Sequence, residues 1–385
     1  MTEWHPLRPF EQDAASESSR LLWKQLDEEA VERGRFIANN SPAKMPTLDH
    51  SSMADYANVY EPSDDTYLLI DAIKYDLFSG YPTDDSRNED ERRTDSEASE
   101  DEIIARVALE IYYQHSRIKA DGNEAPDESG DDEKHPIHYT VENKGLNEIQ
   151  SEKISSRLQQ LKRLERIETV MEIGTGSGVP ITYLSKRLLM EKTFSAQSTE
   201  SNDNDDINRG FSIIATDLNP LALKFAERTA KENGILVGNT TNSDDIDDGK
   251  EKKASVRAME FVECDLASSL LGRLGGKVDV LLFNPPYVPT DDSEICGNGI
   301  EISWAGGQDG RRVTDRALPQ IARLLRRPDG VCYMITVDDN LPCELAKKLR
   351  VEYGLQMTPL VRRRAFNEYL SVQKISWFKS DCDER

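Results

Sequence analysis

The stretch Asn284-Pro285-Pro286-Tyr287 has the residue types best suited to specific chemistry. The Asn284 side-chain oxygen and the carbonyl of Pro285 are two neighbouring acceptors, which together could hold a planar NH2 group while Tyr287 packs over it. The apolar run at residues 278–283 is short, β-branched and stopped by the double proline, so we predict that Asn284 ends a buried strand. Open α/β sheets bind ligands at the carboxyl ends of such strands. An Asn-Pro-Pro turn can also be a simple strand stop, so the rest of the chain must decide.

A glycine-rich turn at Gly174, Gly176 and Gly178 follows a second β-type run at residues 169–173. Such a turn lets the backbone approach a ligand and points helix N–H groups at it. Dinucleotide sites and adenosyl-methionine sites both use it. Glu172 helps to separate the two, because a carboxylate there would repel a pyrophosphate but could pair with a cationic amino acid.

Two aspartates end further predicted strands. Asp217 follows the run at residues 211–216, where a carboxylate can accept both ribose hydroxyls of a nucleoside. Its distance from the glycine turn exceeds the usual ~20 residues, but removing the acidic insert between them restores roughly that spacing. Asp265 follows the predicted strand at residues 256–262 and could accept a hydrogen bond from an adenine amino group or cap the next turn.

The stretch at residues 59–73 predicts a loop that feeds a helix. Pro62 ends any preceding helix or strand, and Ser63 or Asp64 is the predicted N-cap of the next helix. Apolar residues then recur at helical spacing. Taken alone, this stretch indicates a well-capped helix. Upstream, residues 19–37 fit a weak amphipathic helix or a disordered extension.

Composition narrows the classes of function. The 385 residues carry a net charge of −23, with 31% charged and 37% hydrophobic residues, which indicates a globular domain diluted by acidic inserts. The charge argues against nucleic acid as the main partner, although it also serves solubility. Cysteines and histidines form no metal-ligand pattern, the amino terminus has no signal-like run, and no apolar run approaches ~20 residues. We expect no metal site, no membrane span and a cytoplasmic location, with the nucleus left open as a second compartment.

The order of elements predicts the fold. β and α segments alternate up to the strand at residues 331–337, and two further strands at 355–361 and 369–378 form a terminal antiparallel pair. We predict an α/β fold with a doubly wound, seven-stranded, Rossmann-like sheet of order 3-2-1-4-5-7-6. The domain spans residues 51–380 after a polar extension at 1–50, with acidic disordered inserts at about 80–145, 193–209 and 239–254. A glycine-rich loop at 300–311 suits a substrate-side lid or a structural surface loop.

The combined signals resemble the class I S-adenosyl-methionine-dependent methyltransferases, and within them the eukaryotic HemK-like enzymes. The resemblance covers about residues 56–378 without the inserts. It lies in the motifs Tyr60-Glu61-Pro62-Ser63-Asp64-Asp65-Thr66, Glu172-Ile173-Gly174-Thr175-Gly176-Ser177-Gly178, Asp217-Leu218-Asn219-Pro220, Asn284-Pro285-Pro286-Tyr287-Val288, Gly299-Ile300-Glu301 and Trp304-Ala305-Gly306-Gly307.

The resemblance implies a cofactor, a substrate and a partner. The cofactor would be S-adenosyl-L-methionine, and the substrate the glutamine of the Gly-Gly-Gln motif in the class I translation release factor. Eukaryotic HemK-like enzymes also work with a small zinc-binding activator protein. An edge strand at residues 256–262, with Met259 and Phe261 leaving an apolar edge, would invite such a partner to form a heterodimer.

The resemblance also assigns the site residues. Asn284, Pro285 and Tyr287 would bind the glutamine amide. Cofactor-binding roles fall to Thr66, Glu172, Gly174, Gly176, Gly178, Asp217, Leu218, Asp265, Leu266 and Asn284.

Three alternatives remain open at this stage. The planar-amine motif also suits exocyclic amines of nucleic acid bases, and lysine methylation of a protein such as a histone fits the same motif. From another class, the chain could be a cofactor-binding scaffold that acts by assembling with its partner.

Overall fold

The computed structural model describes residues 17–40, 42–78, 108, 148–197, 211–238, 258–291, 300–366 and 368–378. Its main feature is a seven-stranded sheet in the order β3-β2-β1-β4-β7-β9-β8. The elements in chain order are α1 (Glu17–Asn40), α2 (Asp64–Phe78), α3 (Glu148–Glu165), β1 (Thr169–Ile173), α4 (Val179–Gln197), β2 (Ser212–Asp217), α5 (Pro220–Glu232), β3 (Glu260–Glu263), α6 (Leu271–Leu274), β4 (Val280–Phe283), β5 (Val288–Pro289), β6 (Ala305–Gly307), α7 (Arg312–Leu324), β7 (Val331–Thr336), α8 (Pro342–Lys348), β8 (Leu355–Ala365) and β9 (Glu368–Trp377).

This topology confirms the predicted fold. Five neighbouring strands of the large sheet are parallel, in the spatial order β3, β2, β1, β4 and β7. The strand β9 runs antiparallel to both β7 and β8. Since β5 and β6 form a separate two-stranded sheet, the order equals the predicted 3-2-1-4-5-7-6 when only the large sheet is numbered. The predicted insert at 193–209 begins inside α4, which continues to Gln197. Most of the other two inserts lies outside the described residues.

The sheet is covered on both faces, as a doubly wound fold requires. Because side chains alternate along a strand, Val170 packs toward one face and Met171 toward the other. The Val170 face packs against apolar side chains of α2, α3 and α4. The Met171 face packs against α7 and α8. Within the part of the chain that the structure describes, no helix is long and apolar enough to cross a membrane.

Residues 19–37 were expected to form either a weak amphipathic helix or a disordered extension. They are part of the helix α1, and this helix packs on the edge strand β8. Arg33 donates from Nε to the carbonyl of Leu360 at 2.6 Å and from Nη2 to that of Pro359 at 3.0 Å. Gly34 allows the close approach, since a Cβ built there would lie 2.2 Å from the Arg362 carbonyl oxygen. An edge strand has backbone groups free to pair, and a covering helix blocks that edge.

The opposite edge, β3, differs from the prediction in detail. Met259 was expected to contribute to an apolar edge, but its side chain is fully buried in the core. Its backbone pairs with the segment after α5, donating to the Leu236 carbonyl at 2.8 Å and accepting from the Gly238 N–H at 3.4 Å. The expectation for Met259 is therefore wrong, because a residue that alternates onto the core face is buried by its neighbours. The edge position of the strand is confirmed.

Candidate functional site

The parallel register brings the predicted site residues to one edge of the sheet. Ile173 lies opposite Thr216 in β2 and opposite Phe283 in β4. The residues that follow these strands therefore leave the sheet at the same level, at the carboxyl ends where α/β folds bind ligands. The glycine turn, Asp217 and Asn284 are brought together in this way.

The three glycines of the turn have two different roles. Gly174 and Gly176 have φ values of +64° and +50°, and a Cβ on either would meet nothing within 4 Å. Their backbone therefore borders open space, as a ligand cradle needs. Gly178, with φ +73°, is packed instead, since a Cβ there would lie 2.6 Å from the Cβ of Ala226 in α5.

Glu172 is a buried carboxyl group directly below the glycine turn. Only 2% of the residue is exposed, and burial raises the pKa of Glu172 to about 8 against the opposing hydrogen bonds from Thr175 and the Ile181 backbone. The Thr175 hydroxyl donates to its Oε2 at 2.6 Å. A cation placed beside Glu172 would favour the ionised form and be bound by it.

Asp217 ties the glycine turn to the start of α5. Its Oδ2 accepts from the Gly176 N–H at 2.9 Å, and its Oδ1 accepts from the Asn219 N–H at 2.8 Å. Burial raises the pKa of Asp217, while these backbone N–H groups act in the opposite direction. Leu218 beside it is 58% exposed.

Asp265 and Leu266 follow the edge strand β3. The Asp265 side chain is exposed and pairs with Arg316 of α7. Leu266 is buried and has φ +54°, a left-handed conformation that leucine rarely adopts. The Asp265 carboxylate is thus committed to an ion pair here, and its predicted contact with adenine stays a prediction.

Asn284 has the feature most indicative of ligand binding. Its Nδ2 donates to Asp65 Oδ2 at 3.1 Å. Its Oδ1 is buried and has no hydrogen-bond partner. Buried acceptors are nearly always paired, so one without a partner marks a position that a ligand donor would fill. Pro285 is buried directly after it.

Asp65 was not singled out from the sequence, yet it lies at the centre of this cluster. The residue is 1% exposed, and its carboxylate also accepts from the hydroxyls of Tyr287 and Tyr60, both at 3.2 Å. Thr66, the predicted cofactor residue, is buried beside it and donates from its backbone N–H to Asp65 Oδ1 at 2.6 Å. The sequence offered one signal, a second acid in the first turn of α2, where carboxylates are favoured.

Asn340 supports the loop from behind and was also missed. Its Nδ2 donates to the carbonyls of Tyr287 at 2.8 Å and Asp309 at 3.0 Å. Gly310 is packed against the same loop, because a Cβ there would lie 1.9 Å from the Tyr287 carbonyl oxygen. The described part of the loop at 300–311 therefore supports Tyr287 rather than forming a free lid. No cluster of three or more potential metal ligands occurs among the described residues.

Similar proteins place this chain in a family. The chain is 34% identical to "Methyltransferase HEMK2" of Mus musculus over 213 residues, which cover 55% of this chain and 79% of the relative. It is 29% identical to "eRF1 methyltransferase catalytic subunit mtq2" of Schizosaccharomyces pombe over 226 residues, covering 58% and 82% of the two chains. No protein-family model matches.

Among solved structures, one similar chain belongs to the "E. cuniculi Mtq2-Trm112 complex". It is 23% identical, covers 57% of this chain and 92% of that chain, and has a TM-score of 0.32. The mouse relative is more than 30% identical over more than three quarters of its length. This protein is therefore an S-adenosyl-methionine-dependent enzyme that belongs to the family of HemK2- and Mtq2-like release factor glutamine methyltransferases.

Proposed function

We propose that this enzyme methylates the side-chain amide nitrogen of glutamine in the Gly-Gly-Gln motif of the class I translation release factor. The observation that carries the proposal is the buried, unpartnered Oδ1 of Asn284. A primary amide is planar and presents two N–H donors, and Asn284 Oδ1 and the adjacent carbonyl of Pro285 are acceptors for such a pair. The S. pombe relative is named for methylation of eRF1, which supports the release factor as substrate.

The residues present fit S-adenosyl-methionine. Gly174 and Gly176 leave open space above the turn, and Glu172 offers a carboxyl group for the cationic amino group. We expect Asp217, Leu218, Asp265, Leu266 and Thr66 to hold the remaining parts, as their positions around this edge support. When bound, the cofactor supplies an electrophilic methyl group.

The chemistry asked of the protein is orientation and charge stabilisation. An amide nitrogen is a poor nucleophile, because its lone pair is delocalised into the carbonyl. Asn284 Oδ1 would hold the amide so that its nitrogen faces the methyl donor, which removes the entropy cost of alignment. The nitrogen becomes more positive during transfer, so an acceptor on its N–H binds the transition state more tightly than the ground state.

A neutral amide suits this site better than a lysine. A lysine ε-ammonium must lose its proton before it can react, and the carboxylate nearest to Asn284 is that of Asp65. That carboxylate already accepts hydrogen bonds from the side chains or backbone of five residues, which leaves little capacity to take a proton as a base.

We also propose that a small zinc-binding protein docks on β3. The register with β2 directs the N–H and carbonyl of Phe261 and Glu263 away from the sheet. Neither N–H has a backbone partner among the described residues. An added strand would pair with these groups.

The test of the substrate is methyl transfer from labelled S-adenosyl-methionine to purified release factor, using this chain co-expressed with a candidate zinc-binding activator. The controls are a release factor with the motif glutamine changed to asparagine, and the enzyme variant Asn284→Ala. We expect label on the wild-type factor and its loss in both controls. Label on a histone or a nucleic acid, with the release factor unlabelled, would overturn the substrate.

The test of the docking edge compares two substitutions at one exposed position. Glu263→Pro removes the outward N–H, whereas Glu263→Ala keeps it. We expect co-purification of the activator with the wild type and the alanine variant, and its loss with the proline variant. Equal recovery of the activator with both variants would show that the partner binds elsewhere.

A further inference from the structure

We propose that Asp65 is a positioning residue that fixes the side-chain amide of Asn284 in the orientation needed to receive the substrate. The inference rests on the proposed function for the identity of the substrate. It goes beyond the proposed function because it assigns a role to Asp65, a residue outside the Asn-Pro-Pro-Tyr motif. Through Asn284, Asp65 would select a substrate group that donates hydrogen bonds.

The two oxygens of Asp65 face different parts of the site. Oδ1 accepts from Ser63 Oγ at 3.0 Å and from the Thr66 N–H at 2.6 Å, so it anchors the carboxylate to the first turn of α2. Oδ2 accepts from Asn284 Nδ2 at 3.1 Å and from the Tyr287 hydroxyl at 3.2 Å. The carboxylate thus joins the start of α2 to the end of β4.

An ionised carboxylate only accepts hydrogen bonds, so it determines which end of the Asn284 amide it meets. Asn284 must present its NH2 group to Asp65, and its Oδ1 must then face the other way. That oxygen is the buried acceptor without a partner. With the opposite orientation, two oxygens would face each other near 3.1 Å, and the site would offer NH2 donors to a substrate that also donates.

The surrounding phenols strengthen this selection. Burial, and then the charge of Asp65, raise the pKa of Tyr60 to about 12 and raise that of Tyr287 further. Both phenols therefore stay protonated and continue to donate to the carboxylate. A carboxylate held by this many donors keeps a single position, and so does the amide bonded to it.

Asp64 provides a matched control for this role. It precedes Asp65 in the same helical turn but is exposed. We expect Asp65→Asn to lower kcat/KM for the release factor by at least about 100-fold, the scale on which lost oriented acceptors or donors act. Affinity for the release factor without cofactor should fall about tenfold, while affinity for S-adenosyl-methionine changes by less than about threefold. Asp64→Asn should leave all three quantities unchanged.

A donor–acceptor exchange separates positioning from a general effect on folding. Asn284→Asp alone places two carboxylates in contact and should be inactive. In the double variant Asp65→Asn/Asn284→Asp, the amide at position 65 donates to the carboxylate at 284, which still presents an oxygen to the substrate. We expect the double variant to regain at least about tenfold in kcat/KM over either single variant.

The outcomes are decisive in both directions. Recovery of kcat/KM in a double variant that melts at the same temperature as Asp65→Asn supports positioning, because stability then does not account for the gain. Asp65→Asn with wild-type kcat/KM, or a double variant no better than the worse single variant, would overturn the role. If the wild-type enzyme does not methylate the release factor, the proposed function fails. The same variants can then be compared on the substrate that the wild type does methylate, and this comparison still tests Asp65.

Discussion

The pH dependence of cofactor binding offers a direct test of Glu172. The residue is 2% exposed, and burial raises its pKa to about 8. In the empty protein near neutral pH, most molecules therefore carry a neutral Glu172. A cationic amino group bound beside it requires the carboxylate, so binding must include loss of that proton.

The size of the effect follows from the fraction of molecules that are ready to bind. With a pKa of about 8, about 1% of Glu172 is ionised at pH 6 and about 9% at pH 7, and the apparent Kd varies inversely with this fraction. Affinity should then rise up to about tenfold between these two pH values. The amino group of an amino acid derivative, with a pKa of about 8, stays charged across this range.

The assay is calorimetric titration with S-adenosyl-methionine at pH 6 and pH 7, on the wild type and on Glu172→Gln. Glutamine keeps the shape and an acceptor for Thr175 but does not titrate, so its affinity should be weak and nearly constant. Any slope left in the variant belongs to other groups, Asp217 among them. Equal slopes in the two proteins, or a flat wild type, would refute the role assigned to Glu172.

The same residue predicts a change in stability with the opposite sign. A carboxyl group whose folded pKa of about 8 exceeds its unfolded value of 4.5 holds an extra proton in the folded state between those values. The free energy of unfolding therefore falls as pH rises through this window. At pH 8.5 the empty Glu172→Gln variant should melt at a higher temperature than the wild type, and a lower one would contradict the burial argument.

Two glycine substitutions give further tests. Gly178→Ala should lower the free energy of unfolding by roughly 2–4 kcal/mol, from overpacking against Ala226 and from its left-handed backbone, measured by urea denaturation; a loss under about 1 kcal/mol would contradict this. Gly34→Ala should destabilise the protein and speed proteolysis of α1, because the new Cβ meets the Arg362 carbonyl. Gly272→Ala, a helical glycine with open space around it, should instead stabilise by up to about 1 kcal/mol. A Gly34→Ala variant that is stabilised as well would show that α1 is not docked this closely.

The fold was predictable because its signals are local. The central strands β1 and β4 are short, mainly apolar runs followed by Gly174 and Asn284, and the alternation of strands with helices favours this sheet order. The glycine turn, Asp217 and Asn284 follow from the same pattern. The pattern of apolar runs therefore predicts at which strand end each of these residues lies.

The contacts of Asp65 were not predictable in the same way. Its partner Asn284 lies 219 positions further along the chain, and a first-turn aspartate already has a sufficient explanation as a helix cap. The docking of α1 on β8 likewise depends on contacts of Arg33 more than 300 positions away. Such long-range pairs depend on tertiary packing, which one sequence does not specify by spacing.

The helix α1 also determines which edges of the sheet are available for association between copies of this protein. With α1 in place, only the β3 end of the sheet offers backbone groups for pairing among the described residues. A recombinant chain begun after α1 would present unpaired strands at both ends of the sheet. If the β3 edge of one molecule pairs with the β8 edge of the next, each new molecule leaves another edge free. These shortened molecules would therefore associate head to tail into open polymers. Light scattering that grows with protein concentration would reveal such polymers, and the full chain would stay clear.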